Sequence, residues 1–224
     1  MTPASWPCPL PGGGTSEEYA VVFDGGRAIR LLIVPALFDE GNRLRRFTVE
    51  VMRRLAATGI DSFLPDLPGC NESLLPLEQL EPLDWLDAVG AAARHFGATH
   101  ALGIRGGCLF TPAGLPTWHY APVKAASVLR QMMRARLSAS REAGQEESRE
   151  QLGATAQASG IELAGYRLGA DFCRQFEPMA PDPAAIPITQ EQVGGSGLWL
   201  RAEPDEDAAQ ADALAALLAG ALAP

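Results

Sequence analysis

The residues with the clearest chemical spacing are Gly103-Ile104-Arg105-Gly106-Gly107, which close the apolar run Thr99–Ile104. Two glycines flanking a central residue at a strand end make a tight strand-to-helix turn. The central side chain then stands clear beside backbone N–H groups, and a serine in that place is a nucleophile. Here the central residue is arginine. A guanidinium stays protonated and has no lone pair to offer, so it cannot attack. It can bind, because its fork of N–H groups matches a carboxylate or phosphate two bonds at a time. Pro112, Gly114 and Pro116 follow where the next helix should run, which leaves room for about one helical turn.

A nucleophilic serine would need an acid and then a histidine from later loops. The only histidines are His95, His100 and His119. His95 ends a helical pattern and His100 precedes a strand, so both read as structural or solvated. His119, between Trp118 and Tyr120, is the histidine that could face a site. Two other segments fall at strand ends, where open α/β sheets bind ligands. In Pro35–Arg46, the residues Asp39, Glu40, Asn42 and Arg46 form with Arg105 a candidate set for an anionic group. The plainer reading, which weighs more, is that Asp39 or Glu40 neutralises Arg105. In Asp66–Ser73, Asp66 and Gly69 read as turn chemistry and Ser73 as a cap. Glu40 and Asp66 are the carboxylates that could activate water. Cys70 and Cys108 are thiols without an assigned base, and they read as core residues.

The elements that must position these residues alternate. Residues 1–18 hold four prolines and the run Gly12–Gly14 and read as an irregular or edge arm. Tyr19–Phe23 with Asp24-Gly25-Gly26 reads as a strand and hairpin turn. Ala28–Pro35 is a β-branched, largely apolar run of the kind buried on both faces of a parallel sheet, Ile60–Pro65 reads as the next strand and Thr99–Ile104 as a third buried strand. Between them, Arg43–Thr58 (capped by Gly59) and Pro82–Phe96 carry helical spacing, the latter with Leu83, Leu86, Val89 and Ala93 on one face. Alternating strands and helices imply a parallel sheet between two helical layers.

The second half is more helical. Lys124–Ala143 sets Val128, Leu129, Met132, Met133 and Leu137 against Lys124, Arg130, Arg134, Arg136 and Arg141. Glu146–Ala158 and Ala170–Phe176 are further helices, with a short strand at Ile161–Ala164. Pro178–Pro187 reads as a loop, Gly197–Ala202 as a last strand and Asp205–Leu222 as a closing helix. The expected architecture is one α/β-hydrolase-like domain over residues 1–224, a three-layer, mostly parallel sheet with residues 124–176 as a helical cap or insertion.

Composition narrows the function classes. In 224 residues the formal charge is −9, which repels polyanions, so no nucleic-acid partner is expected. The four scattered cysteines lack metal-ligand spacing and suit reduced thiols; no metal and no cofactor is expected. No basic segment precedes an apolar one near the start, and Ala208–Ala223 is too short and too polar to span a bilayer. A cytoplasmic setting is the expectation. The basic side of helix 124–143 could meet a protein partner, with oligomeric state open.

The wording of several segments resembles one family, the exosortase A system-associated hydrolase 2 proteins. The matching stretches are VPALFDEGNRLRR (Val34–Arg46), FLPDLPGCNES (Phe63–Ser73), GIRGG (Gly103–Gly107), YAPVKAASVLRQMMRARL (Tyr120–Leu137), ELAGYRLG (Glu162–Gly169) and GLWLRAEP (Gly197–Pro204). The resemblance implies an α/β-hydrolase-like fold in which arginine at the elbow is normal. It also implies a setting among exopolysaccharide and exosortase protein-sorting loci of Gram-negative bacteria. The chain departs from the family's pattern where the helix after the elbow is missing and where Met179–Gly195 replaces a further strand. The expected function is a binding or accessory protein without a Ser-His-Asp triad, holding a small anionic or acyl ligand. The alternative is an ester, thioester or acyl hydrolase with a non-classical site.

Overall fold

The structure, a computed structural model, describes residues 1–201 and 203–222. Of the irregular or edge arm expected at residues 1–18, the structure shows the edge and not the irregularity. β1 (Thr2–Pro9) and β2 (Thr15–Phe23) form an antiparallel hairpin in register from Thr2↔Val22 to Pro9↔Thr15. Pro3, Pro7 and Pro9 share one parity, so their missing N–H groups fall on the free edge, where a sheet tolerates proline. The alternate positions Trp6 and Cys8 are buried.

After β2 the Asp24-Gly25-Gly26 segment does not turn β2 back onto the next strand, as a hairpin would. The backbone N–H groups of Gly25 and Arg27 each donate to the Asp61 carboxylate at 2.8 Å. This loop carries the chain across to β3 (Arg30–Val34), a central strand. α1 (Phe38–Ala57) begins five residues before the helical spacing became legible, which puts Asp39, Glu40 and Asn42 inside its first turns. Acidic residues there suit the positive end of the helix dipole. β4 (Asp61–Pro65) returns beside β3.

α2 (Pro82–His95) buries Trp85, Ala88, Val89 and Ala92, whereas Leu83 is 58% and Leu86 37% exposed. The expected apolar face of this helix is therefore corrected by about a third of a turn. Trp85 sets the phase: its Nε1 donates to the Pro68 carbonyl at 2.9 Å, and its ring packs edge-on to Phe110 and Phe172. A large ring with one polar atom needs such a partner when buried.

β5 (His100–Ile104) and β6 (Thr117–Tyr120) extend the parallel sheet. Above its carboxyl end come α3 (Ala125–Glu142), α4 (Arg149–Ser159), the hairpin of β7 (Ile161–Leu163) and β8 (Tyr166–Leu168), and α5 (Ala170–Phe176). β9 (Ile186–Ile188) pairs in parallel with β6. The expected loop Pro178–Pro187 is corrected at its end, where Ile186 and Pro187 begin β9, and proline is tolerated there because β9 is an edge. α6 (Gln190–Val193) follows. The expected strand Gly197–Ala202 is instead a 3-10 turn at Leu198–Leu200, with Ala202 outside the described residues. α7 (Ala208–Leu222) closes the chain and packs on α1.

The sheet order is β1-β2-β4-β3-β5-β6-β9, with β4, β3, β5, β6 and β9 parallel. β3 shows why both faces are covered. Leu31 and Ile33 join the core under α1 and α7, while Leu32 and Val34 join the core under α2 and α5. Period-two alternation with apolar residues on both sides demands helices on both sides. Among the described residues no helix is long and apolar enough to cross a membrane.

Candidate functional site

The chain leaves β5 through Arg105, whose φ is +54°, in the left-handed region that non-glycine residues rarely adopt. A single 3-10 turn, Arg105–Leu109, takes the place of a full helix. The flanking glycines hold the turn against its neighbours. A Cβ on Gly107 would stand 2.3 Å from the Pro35 carbonyl oxygen and 2.4 Å from that of Val34, and one on Gly103 would stand 2.7 Å from Cys108 Cα. The elbow geometry is thus intact, and arginine occupies its centre.

Arg105 does not reach into open space. Its Nε donates to Glu40 Oε2 at 3.1 Å and its Nη2 to Glu40 Oε1 at 3.0 Å. Nη1 donates to the Ala121 carbonyl at 3.0 Å, and the guanidinium lies 4.1 Å from the Trp199 ring centroid. The pair is buried, with side chains 13% and 8% exposed. Glu40 rather than Asp39 takes this role because of helical phase. Glu40 points into the elbow, while Asp39 pairs with Arg43 one turn along α1. Ala121 (φ +46°) is held by its N–H donating to Ile188 at 2.9 Å. Trp199 sits edge-on to Tyr120. The later loops that would bring an acid and a histidine to a serine bring a carbonyl and an indole to an arginine.

The other candidates are dispersed or engaged. Arg46 pairs with Glu206 at 2.7 Å, and Asn42 Nδ2 donates to Tyr166 Oη at 3.2 Å. Asp66 is fully buried at the end of β4, with β3 between it and the elbow strand. Its Oδ1 accepts from Arg45 at 2.6 Å and from Asn71 at 3.0 Å, while Oδ2 makes no hydrogen bond among the described residues. His119 lies within β6 in register with Gly103, buried, its Nε2 3.1 Å from the Thr111 hydroxyl. Burial lowers its pKa, opposed by Asp182. Burial also pushes the Cys70 thiol up to about 12, and Cys108 higher still despite the nearby Arg105 charge. Neither thiol is a ready thiolate.

Beside the Arg105–Glu40 pair a cavity of about 240 Å³ opens between the start of α1 and α3, lined by Leu37, Phe38, Glu40, Val128, Met132 and Ala164. Phe38 (φ +54°) lines it from a buried cluster with Trp85, Tyr166, Phe172 and Phe176. Local sequence spacing gave no signal for Trp199, Ala121 or Phe38. Trp199 reaches Arg105 across ninety-odd residues of chain, and its own neighbourhood looks like a strand.

A mostly parallel sheet with helices on both faces, a glycine-flanked elbow after β5 and helices above it define an α/β-hydrolase-like fold. Compared by sequence, the chain matches no family model and no curated protein. Compared by structure, it is similar to Est1E from Butyrivibrio proteoclasticus, solved with ferulic acid bound, at 13% identity and TM-score 0.51 over 92% of each chain. That likeness carries the fold alone. Proline iminopeptidase from Mycobacterium smegmatis aligns at 18% identity and TM-score 0.41, over 69% of this chain and 59% of its own. The 2-hydroxy-6-oxo-6-phenylhexa-2,4-dienoate hydrolase of Rhodococcus sp. aligns at 17% identity and TM-score 0.42, over 55% of this chain and 47% of its own. The chain therefore spans about half to three fifths of the length of these last two.

Proposed function

We propose that the chain is a non-catalytic α/β-hydrolase-like protein that binds a small acyl or otherwise largely apolar ligand beneath its helical cap. The observation that carries this reading is the elbow residue Arg105, held at φ +54° and paired through both prongs to Glu40. Neither member is free to attack a substrate or to take a proton from water. The cavity beside them is smaller than the roughly 300–1,000 Å³ usual for drug-sized ligands, which favours a short ligand. Its wall on α3, Val128 and Met132, supplies apolar contact, and Glu40 and Arg43 supply its polar end.

The test is ligand-induced thermal stabilisation by short-chain carboxylic acids, esters and thioesters, comparing the wild type with Ala135→Trp, which adds an indole at Ala135, a lining residue of the cavity on α3. A saturable rise in melting temperature that the tryptophan abolishes supports the reading. No rise with any of them overturns it. The reading also includes a cytoplasmic setting, supported by four free cysteines, and an accessory role beside exosortase and exopolysaccharide export, supported by the motif resemblance. Gene neighbourhoods lacking such export genes on both sides would count against that last part.

A further inference from the structure

Away from the elbow, α3 and α4 meet at a hollow of about 240 Å³ walled by Ser127, Arg130, Arg134 and Arg149. Each arginine stands there against a local electrostatic preference. Arg130 and Arg134 are like charges one turn apart on α3, a spacing that weakens a helix. Arg149 is the first residue of α4, the end at which the helix dipole favours an anion.

No carboxylate lies within ion-pair distance of these three among the described residues. Arg130 donates only to its own helix, to Ala126 O at 3.1 Å and Ser127 Oγ at 2.8 Å. The neighbouring Arg136, by contrast, is clamped by Glu147. Carboxylates are not scarce in a chain with 27 acidic and 18 basic residues. The repulsion among the three is therefore not relieved by any paired carboxylate, although Glu150 and Glu177 line the adjoining hollow.

We propose that this hollow binds the phosphate group of a soluble organic phosphate with an apolar body. A phosphate monoester carries about −1.5 to −2 charge at neutral pH and matches three guanidiniums better than a single carboxylate does. Arginine forks also suit its several oxygens. An adjoining hollow of about 520 Å³ shares Arg130 and Arg149 and adds the apolar side chains of Ala126, Leu129 and Met133. That floor suits the carbon portion of the ligand. Glu150 and Glu177 line this second hollow, and they oppose any further negative charge, which selects one phosphate over a polyanion.

The test titrates full-length protein with hexyl phosphate, inorganic phosphate, hexanoate and phosphatidate-containing vesicles at constant ionic strength, read by thermal unfolding and vesicle co-sedimentation. Hexyl phosphate is expected to raise the melting temperature saturably and to bind at least about tenfold more tightly than inorganic phosphate. Arg134→Gln and Arg149→Gln should lose the shift. Their ligand-free forms should melt at or above the wild-type temperature, because a repulsion has been removed. Four results would overturn the proposal: no saturable shift, an equal shift in the variants or with hexanoate, binding to vesicles only, or ligand-free variants that melt well below wild type.

Discussion

Arg105 and Glu40 close on each other through two parallel N–H···O bonds, 3.1 Å from Nε and 3.0 Å from Nη2, at the sheet position where a nucleophile would stand. The pair converts an exposed reactive turn into a buried, hydrogen-bonded junction. It ties β5 to the first turn of α1, and through the Ala121 carbonyl and the Trp199 ring it also ties in the loops after β6 and α6. A buried pair of this kind specifies geometry more than it adds stability, because desolvation offsets much of the attraction.

The asymmetry between pair and partner gives the first prediction. Glu40→Ala leaves a buried guanidinium with one carbonyl partner and should destabilise the protein by about 3–5 kcal/mol. The double variant Glu40→Leu/Arg105→Met should cost less than the two single changes added together, by at least about 1 kcal/mol. Urea unfolding of the wild type, Glu40→Ala, Glu40→Leu, Arg105→Met and the double variant measures this, and additive losses would show that the two side chains are not coupled.

Placing a serine at the elbow should not create a serine hydrolase. In Arg105→Ser the hydroxyl would face the Ala121 carbonyl and the Trp199 ring, with His119 committed to Thr111 inside β6. No imidazole is placed to take its proton, and the Glu40 carboxylate left without its arginine is a weak base for a serine hydroxyl. The expected labelling by a fluorophosphonate probe is that of the wild type, which is none. Labelling of Arg105→Ser alone would show that Glu40 or another group at the elbow serves as that base.

The elbow glycines are required by close approach. Gly107→Ala places a methyl group 2.3 Å from the Pro35 carbonyl oxygen; the backbone must move, and the loss should reach or exceed about 1–3 kcal/mol. Gly114→Ala is the control of a different kind, because its Cβ meets nothing within 4 Å but its φ is +83°. Thermal unfolding should rank Gly107→Ala below Gly114→Ala.

His119 makes stability depend on pH. Burial lowers its folded pKa below the ordinary value of 6.5, so below that value the unfolded chain binds the proton more readily than the folded one. The stabilisation is present above pH 6.5 and is lost as pH falls through the folded pKa. Stability measured from pH 7 down to pH 5 should fall more steeply in the wild type than in His119→Gln. Parallel curves would remove His119 from this account.

Much of the scaffold is readable from local pattern, and the reasons for the rest are physical. β3 and β5 announce themselves because strands buried on both faces are largely apolar, β4 through Phe63 and Leu64 despite the buried Asp61 and Ser62, and α3 because its apolar positions recur every three to four residues. The hairpin of β1 is hidden because proline usually ends a strand, and only pairing shows that these prolines share the free edge. The inward face of α2 is hidden because Leu83 and Leu86 look like core until Trp85 claims that place. Arg105 at the elbow is visible in five residues. Its choice of Glu40 over Asp39 depends on where α1 begins, and its contacts with Ala121 and Trp199 depend on tertiary folding alone.

On the proposed function, Arg105, Glu40 and Asp66 bind and brace rather than catalyse. The most direct test of that reading is steady-state turnover on a broad panel of esters, thioesters and acyl-carrier substrates by the wild type, Arg105→Ala, Glu40→Ala and Asp66→Ala. The expected result is no turnover above buffer by any of the four proteins. Turnover by the wild type that disappears in one of these variants would contradict it.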